Sequence, residues 1–195
     1  MKDNILKAFE ESIHVKEKFI DEKNIAKIFE VCKAIANAFN EGKKLILFGN
    51  GGSSTDASHI AAEFINRFKR ERPGLPAIAL NTDMAVITSI ANDYDFSEIF
   101  AKQLKALAEE GDVVLAISTS GNSPNIMKAM DVARKKKLTT IAFTGLKGEK
   151  FASRATFAFV VPSDNTPRIQ ETHITIGHVI CQIVEDILFD IPRKK

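Results

Sequence analysis

The sequence predicts an α/β fold in which a parallel sheet, covered by helices on both faces, follows a pair of N-terminal helices. Two observations predict it. From residue 43 onward, short continuous apolar runs alternate with helical patterns, the signature of strands buried on both faces. Before residue 43, apolar residues recur with helical spacing and no glycine or proline interrupts them. A chain of 195 residues suffices for one domain with a full core, and 45% hydrophobic residues argue against disorder.

Ile5, Phe9, Ile13 and Phe19 mark the first helix; Ile25, Ile28, Phe29, Cys32, Ile35 and Phe39 mark the second. Asp21 is placed to cap the second, and Gly42 closes the pair. The expected strands are Leu45–Phe48, Ala77–Leu80, Val113–Ile117, Thr140–Phe143 and Phe157–Val161. Helices are expected at Thr55–Lys69, Asp83–Ala91, Ser97–Leu107, Pro124–Lys136 and Ala152–Arg154, with a last one from about Arg168 to Phe189 after Pro167. Pro124 stands where a first-turn proline is favoured. There is no internal repeat and no low-complexity segment.

Composition narrows the function classes. A net charge of +2 leaves no strong footprint for nucleic acid, and Arg134-Lys135-Lys136-Lys137 reads as a solvated helix end. No apolar run approaches the roughly 20 residues of a membrane span. Met1-Lys2-Asp3-Asn4 leads into a charged amphipathic stretch rather than a signal peptide. Cys32 and Cys181 lie far apart in apolar helical patterns without metal-site spacing, so buried reduced thiols and a cytoplasmic location are expected.

Two Gly/Ser loops each leave an apolar run and open a helix: Gly49-Asn50-Gly51-Gly52-Ser53-Ser54 and Ser118-Thr119-Ser120-Gly121-Asn122-Ser123. Unpaired backbone N–H groups at a helix start, with hydroxyl donors beside them, suit an anion. Gly49-x-Gly51 is half of a dinucleotide fingerprint, but Ser54 replaces the third glycine and Leu80-Asn81-Thr82 offers no ribose-binding acid. No GxxxxGK[ST] is present, so nucleotides give way to a small phosphorylated molecule. Taken alone, the first loop is equally well explained as a tight strand-to-helix turn. Both loops leave the carboxyl ends of strands and so fall on one edge of the sheet, where α/β folds bind ligands.

His59 and Glu63 are four residues apart, which puts both side chains on one helix face. A surface ion pair fits the same spacing, but Ala57, Ile60, Ala61, Ala62 and Phe64 surround them. The last helix carries Gln170, His173 and His178; Gln170 and His178 can line one face, while His173 points elsewhere. A histidine alone in an apolar helix is more often structural than catalytic.

These segments together resemble the phosphoheptose isomerases of the SIS (sugar isomerase) superfamily. The resemblance rests on Gly49-Asn50-Gly51-Gly52-Ser53, His59 with Glu63, Arg72-Pro73-Gly74-Leu75-Pro76, Ala91-Asn92-Asp93 and Gly111-Asp112-Val113. Ile117 through Ser123, Thr144-Gly145 and Arg168-Ile169-Gln170-Glu171 complete it, in order, over residues 5 to 188. It implies a single SIS domain spanning 1–195, with N-terminal helices over 1–42 and a three-layer αβα core with a five-stranded parallel sheet over 43–190. It also implies a homotetramer that converts sedoheptulose 7-phosphate to D-glycero-D-manno-heptose 7-phosphate, toward activated heptose for lipopolysaccharide or capsule.

By the same resemblance, Ser118, Thr119, Ser120 and Ser123 bind the phosphate. Asn50, Gly51, Gly52, Ser53, Arg67, Asn92, Asp93 and Gln170 line the substrate site. Glu63 and His178 are the acid–base pair, and one zinc ion per subunit is held by His59, Glu63, Gln170 and His178. The chain has Pro167 where many isomerases carry an acidic residue before Arg-Ile-Gln, which bears on one sugar contact. Ile65-Asn66-Arg67-Phe68 and Leu80-Asn81-Thr82-Asp83 are similar to a non-catalytic SIS paralogue that binds the bacterial replication initiator. That paralogue lacks the glutamate and final histidine that this chain keeps as Glu63 and His178, so the enzyme is expected, and the alternative is a non-catalytic SIS tetramer that binds the replication initiator or senses a phosphosugar.

Overall fold

Asp21 accepts a hydrogen bond from the Asn24 N–H and so starts the second of the two helices, α1 (Lys2–Phe19) and α2 (Glu22–Asn40). The computed structural model describes residues 1–189; the ends expected at 190 for the core and 195 for the domain lie outside the described residues. After α2 the chain alternates: β1 (Leu45–Gly49), α3 (Gly52–Ile65), β2 (Ala77–Ala79), α4 (Met84–Asp93), α5 (Ile99–Leu107) and β3 (Val113–Ile117). It continues through α6 (Pro124–Lys135), β4 (Thr139–Gly145), α7 (Glu149–Ala152), β5 (Phe157–Val161) and α8 (Thr166–Phe189).

The five strands are all parallel, in the order β2-β1-β3-β4-β5. Strand residues alternate between two cores. Leu45, Leu47, Val113, Leu115, Ile141 and Phe143 face α2, α3 and α8, with Val15 and Phe19 of α1 at the edge of that core. Ile46, Phe48, Val114, Ala116 and Ala142 face α5, α6 and α7. Burial on both faces explains why the strands read as unbroken apolar runs. Helices on both sides of the sheet make the expected α/β sandwich.

The order 2-1-3-4-5 reverses between β1 and β3, because β2 is added on one side of β1 and β3 on the other. At such a switch point the helices leave the sheet on opposite faces, and a crevice opens at the carboxyl ends. Gly49 pairs with Ile117 in the last register step, so both Gly/Ser loops leave at this crevice.

Two elements differ most from the expected ones. α3 starts inside the glycine loop, at Gly52 rather than Thr55, and stops at Ile65, before Lys69. It stops because Arg72 takes the Glu63 and Phe64 carbonyls that further helix would have used. α7 is a four-residue helix after a 3₁₀ turn, Leu146–Gly148, and so precedes the expected Ala152–Arg154. Among the described residues, no helix is long and apolar enough to cross a membrane.

Candidate functional site

The first loop turns through Gly51 at φ +54°, a left-handed conformation that favours glycine. Asn50 then reaches across the crevice. Its amide donates to Asn125 Oδ1 and its Oδ1 accepts from Asn125 Nδ2, each at 2.9 Å. Asn125 is buried in the first turn of α6, so this exchange ties the two loops together.

In the second loop, the Gly121 N–H donates to the Ser118 carbonyl at 3.2 Å and to Ser118 Oγ at 3.1 Å. Gly121 has φ +67°, and a Cβ there would collide with the Gly148 backbone. Ser123 precedes Pro124 at the start of α6; its hydroxyl makes no capping bond and lies 3.5 Å from Ser118 Oγ. Ser118 is buried, Thr119 half-buried and Ser120 exposed. A cavity of about 140 Å³ beside Thr119 and Ser120 is walled by Lys147, Ser163, Asp164 and Ile169. The loop is therefore a tight cradle of hydroxyls and backbone donors at a helix N-terminus, which suits a phosphate.

Three titratable side chains converge between α3 and α8. His59 Nε2 lies 3.1 Å from Glu63 Oε1 and 3.5 Å from His178 Nε2. The two imidazoles meet edge to face, with centroids 4.9 Å apart. One ligand atom from each of His59, Glu63 and His178 lies within 4.8 Å of the other two, the one such group among the described residues. Ligand atoms about 2.1 Å from a tetrahedral ion stand roughly 3.4 Å apart, so this donor set fits a divalent cation with a position left open. Gln170, two turns before His178 on α8, packs its amide against Gly52, where any Cβ would collide with it.

One turn before His59, Asp56 is half-buried and its Oδ2 has no hydrogen-bond partner. Burial pushes its pKa up to about 6, against the opposing pull of His59.

The SIS domain model matches residues 8–145, which take in both loops and α3. A phosphoheptose isomerase from Thermodesulfovibrio yellowstonii is 67% identical over 195 residues, covering 100% of this chain and 96% of its own. The chain belongs to the phosphoheptose isomerase family. Another relative of that name, from Aquifex aeolicus, is 50% identical over 188 residues, covering 96% of this chain and 98% of its own. The solved structure of a phosphoheptose isomerase from Francisella tularensis superposes with a TM-score of 0.90 at 40% identity, over 94% of this chain and 97% of that one.

In this phosphoheptose isomerase family member, the expected site residues fall into two groups. The structure brings His59, Glu63 and His178 together, and seats Gln170 two turns earlier on α8 against Gly52, near Gly51 and the buried Ser53. Asn50 meets Asn125 next to the serine loop. Asn92 and Asp93 end α4 on the opposite face of the sheet, exposed, with Asn92 donating to Asp93. Arg67 is exposed in the turn after α3, 3.6 Å from Glu71. Neither Arg67 nor the Asn92–Asp93 pair makes a hydrogen bond or ion pair to the His59, Glu63 and His178 side chains among the described residues.

Four residues that hold the site were not singled out individually from sequence: Asn125, Phe68, Arg72 and Glu185. One signal was available for Glu185, a carboxylate within the apolar run Ile183-Val184-Glu185 of a long helix. His173, read as facing away from the site, is buried with Nε2 3.3 Å from the Thr144 carbonyl.

Proposed function

We propose that the protein interconverts sedoheptulose 7-phosphate and D-glycero-D-manno-heptose 7-phosphate. The carrying observation is the meeting of His59, Glu63 and His178 within 4.8 Å at the sheet edge that also holds the Ser118–Ser123 cradle. The relatives named phosphoheptose isomerase support the substrate. Ser118, Thr119, Ser120 and Ser123 grip the phosphate, and that binding energy orients the carbons at the other end of the sugar. Asn50, Gly51, Gly52, Ser53 and Gln170 line the path between them; Arg67, Asn92 and Asp93, which stand apart from this group within one chain, have a substrate role only by the family resemblance.

Aldose–ketose interconversion moves a proton between adjacent carbons through an enediolate. Glu63 takes the proton from carbon, and His178 serves the oxygens as the acid. Zinc held by His59, Glu63, Gln170 and His178 would supply Lewis-acid polarisation of those oxygens. Ligation makes a carboxylate a weaker base, so the two duties compete at Glu63.

The protein acts as a homotetramer in the cytoplasm, feeding activated heptose toward lipopolysaccharide or capsule. The assembly is supported by the apolar side chains that α1 turns outward, Ile5 at 61%, Phe9 at 68% and Ile13 at 56% exposure.

The test is turnover of sedoheptulose 7-phosphate with identification of the product, for the native enzyme and for Glu63→Gln. A proton-transfer group contributes about a hundred- to ten-thousandfold, so Glu63→Gln should lose activity on that scale while staying folded. Near-normal turnover in the variant would falsify the base assignment. Native protein that binds the sugar phosphate without converting it refutes the isomerase reading.

A further inference from the structure

Residues 66–76 join α3 to β2 without helix or strand. A segment of this kind holds one shape only if its backbone groups find fixed partners. Glu185, 1% exposed on α8 two turns past His178, supplies them. Its Oε1 accepts from the Lys69 N–H at 3.0 Å and the Arg70 N–H at 2.9 Å. Its Oε2 accepts from the Phe68 N–H at 3.3 Å and from Arg72 Nε at 3.1 Å.

Arg72 continues the chain of contacts. Its Nη2 donates to the Glu63 carbonyl at 2.8 Å and its Nη1 to the Phe64 carbonyl at 2.7 Å, both at the end of α3. One buried pair thus closes α3, folds the segment after it and fastens both to α8. Burial alone would raise the Glu185 pKa, but the Lys69, Phe68 and Arg70 N–H groups and Arg72 outweigh it and hold the carboxyl below its ordinary range. A buried ion pair is a weak source of stability compared with an apolar pair of the same volume. What this pair achieves, and an apolar one cannot, is to aim a set of backbone donors.

The product of that aim is the place of Phe68. Its ring stacks on the His178 imidazole, with centroids 5.8 Å apart and planes at 28°. His59 meets His178 edge-on at 75°. We propose that Phe68, set by the Glu185–Arg72 clamp, is the positioning residue that fixes the His178 imidazole for proton transfer. This rests on the isomerase reading. Phe68 acts through His178, and Glu185 and Arg72 act through Phe68.

The experiment begins with native enzyme on sedoheptulose 7-phosphate, where absence of turnover overturns the isomerase reading and this inference with it. Phe68→Leu then keeps apolar bulk and the N–H tied to Glu185 but removes the ring. Misplacing a catalytic group by about an ångström costs on the order of a hundredfold, so kcat should fall about ten- to a hundredfold. KM should stay within about twofold, the thermal midpoint should hold, and Phe68→Tyr, which restores the ring, should recover kcat. Unchanged kcat in Phe68→Leu, or a rise in KM alone, overturns the positioning role and leaves the isomerase reading standing. Glu185→Gln keeps the shape and removes the charge opposite Arg72. A lowered kcat at retained KM in that variant supports the clamp, and a lowered thermal midpoint with native kcat refutes it.

Discussion

Asn50 and Asn125 trade amide hydrogen bonds, 2.9 Å in each direction, across the crevice between β1 and β3. Asn125 Oδ1 also accepts from its neighbour's N–H, Ile126, at 2.9 Å. The loop that enters α3 and the loop that enters α6 are therefore one unit, and on the proposed reading this unit sets the spacing from Glu63 and His178 to the Ser118–Ser123 loop.

Asn125→Ala should break that unit. The change leaves the Asn50 amide without its partner, at a cost of about 1–3 kcal/mol. In a chain of this size each 1 kcal/mol lowers the melting temperature by roughly 2–4 °C. The KM for sedoheptulose 7-phosphate should rise as well, because the two ends of the sugar are no longer held in register. Calorimetry and steady-state kinetics read the two effects. A lower melting temperature with unchanged KM would mean that the pair holds the fold and not the site.

Acid should weaken the fold through His173. The residue is fully buried, and burial lowers its pKa from 6.5 to about 4, opposed by the Thr144 carbonyl. The unfolded chain takes up this proton near pH 6.5 and the folded protein only near pH 4, so the unfolded state binds more protons between those values. Stability is therefore lost as pH falls through that window, by on the order of 3 kcal/mol from this group. Urea unfolding of native protein and His173→Leu across the window is the measurement. The variant should be less stable at neutral pH and should lack this part of the slope; parallel slopes would refute the assignment.

Asp56 should show the opposite sign. Its raised pKa of about 6 means that the folded state favours the neutral carboxyl, so ionisation above that pH destabilises. Asp56→Asn should stabilise the fold by about 1 kcal/mol at pH near 8, a figure reduced for solvent screening of a half-buried group. The gain should vanish near pH 4, where the native carboxyl is largely protonated. An equal gain at both pH values would show that the charge is irrelevant.

The sequence made the sheet legible because a parallel strand buried on both faces leaves an unbroken apolar run, as Val113–Ile117 does. It made His59 and Glu63 legible because four residues is one helical turn. α7 was misplaced because four residues are too few to display a period. The start of α3 was missed because Gly51 and Gly52 look like loop, whereas Gly52 is helical and bare of side chain to admit Gln170. Phe68 on His178 and Glu185 on Arg72 follow from the path of an aperiodic segment, and no spacing rule encodes that path.

The metal can be tested apart from catalysis. Protein purified without chelator or histidine tag should carry about one zinc per subunit, as three or four neutral and anionic ligands at this spacing allow. Removing it should abolish turnover, and adding zinc should restore it. His59→Ala removes a direct ligand and should lower metal affinity by more than the roughly ten- to hundredfold typical of losing an outer-shell partner, while leaving the fold intact. Metal-free protein with full activity would exclude zinc from the reaction.

The assembly has its own test in α1. This helix buries Val15 and Phe19 against the sheet layer yet leaves Ile5, Leu6, Phe9 and Ile13 exposed, the last two at 68% and 56%. On α2, Ile25 and Phe29 are exposed at 54% and 51%. Large apolar side chains left exposed on α1 and α2 suit a contact with another protein, and the expected partner is a second copy of the chain. Phe9→Lys with Ile13→Lys places two charges on that face without touching the buried side of α1. Sedimentation velocity should then show a species smaller than that of the native protein, with the far-ultraviolet circular dichroism unchanged. If the doubly substituted protein sediments as the native protein does, the α1 face is not a subunit contact, and the exposed Met84 at the start of α4 becomes the surface to probe next.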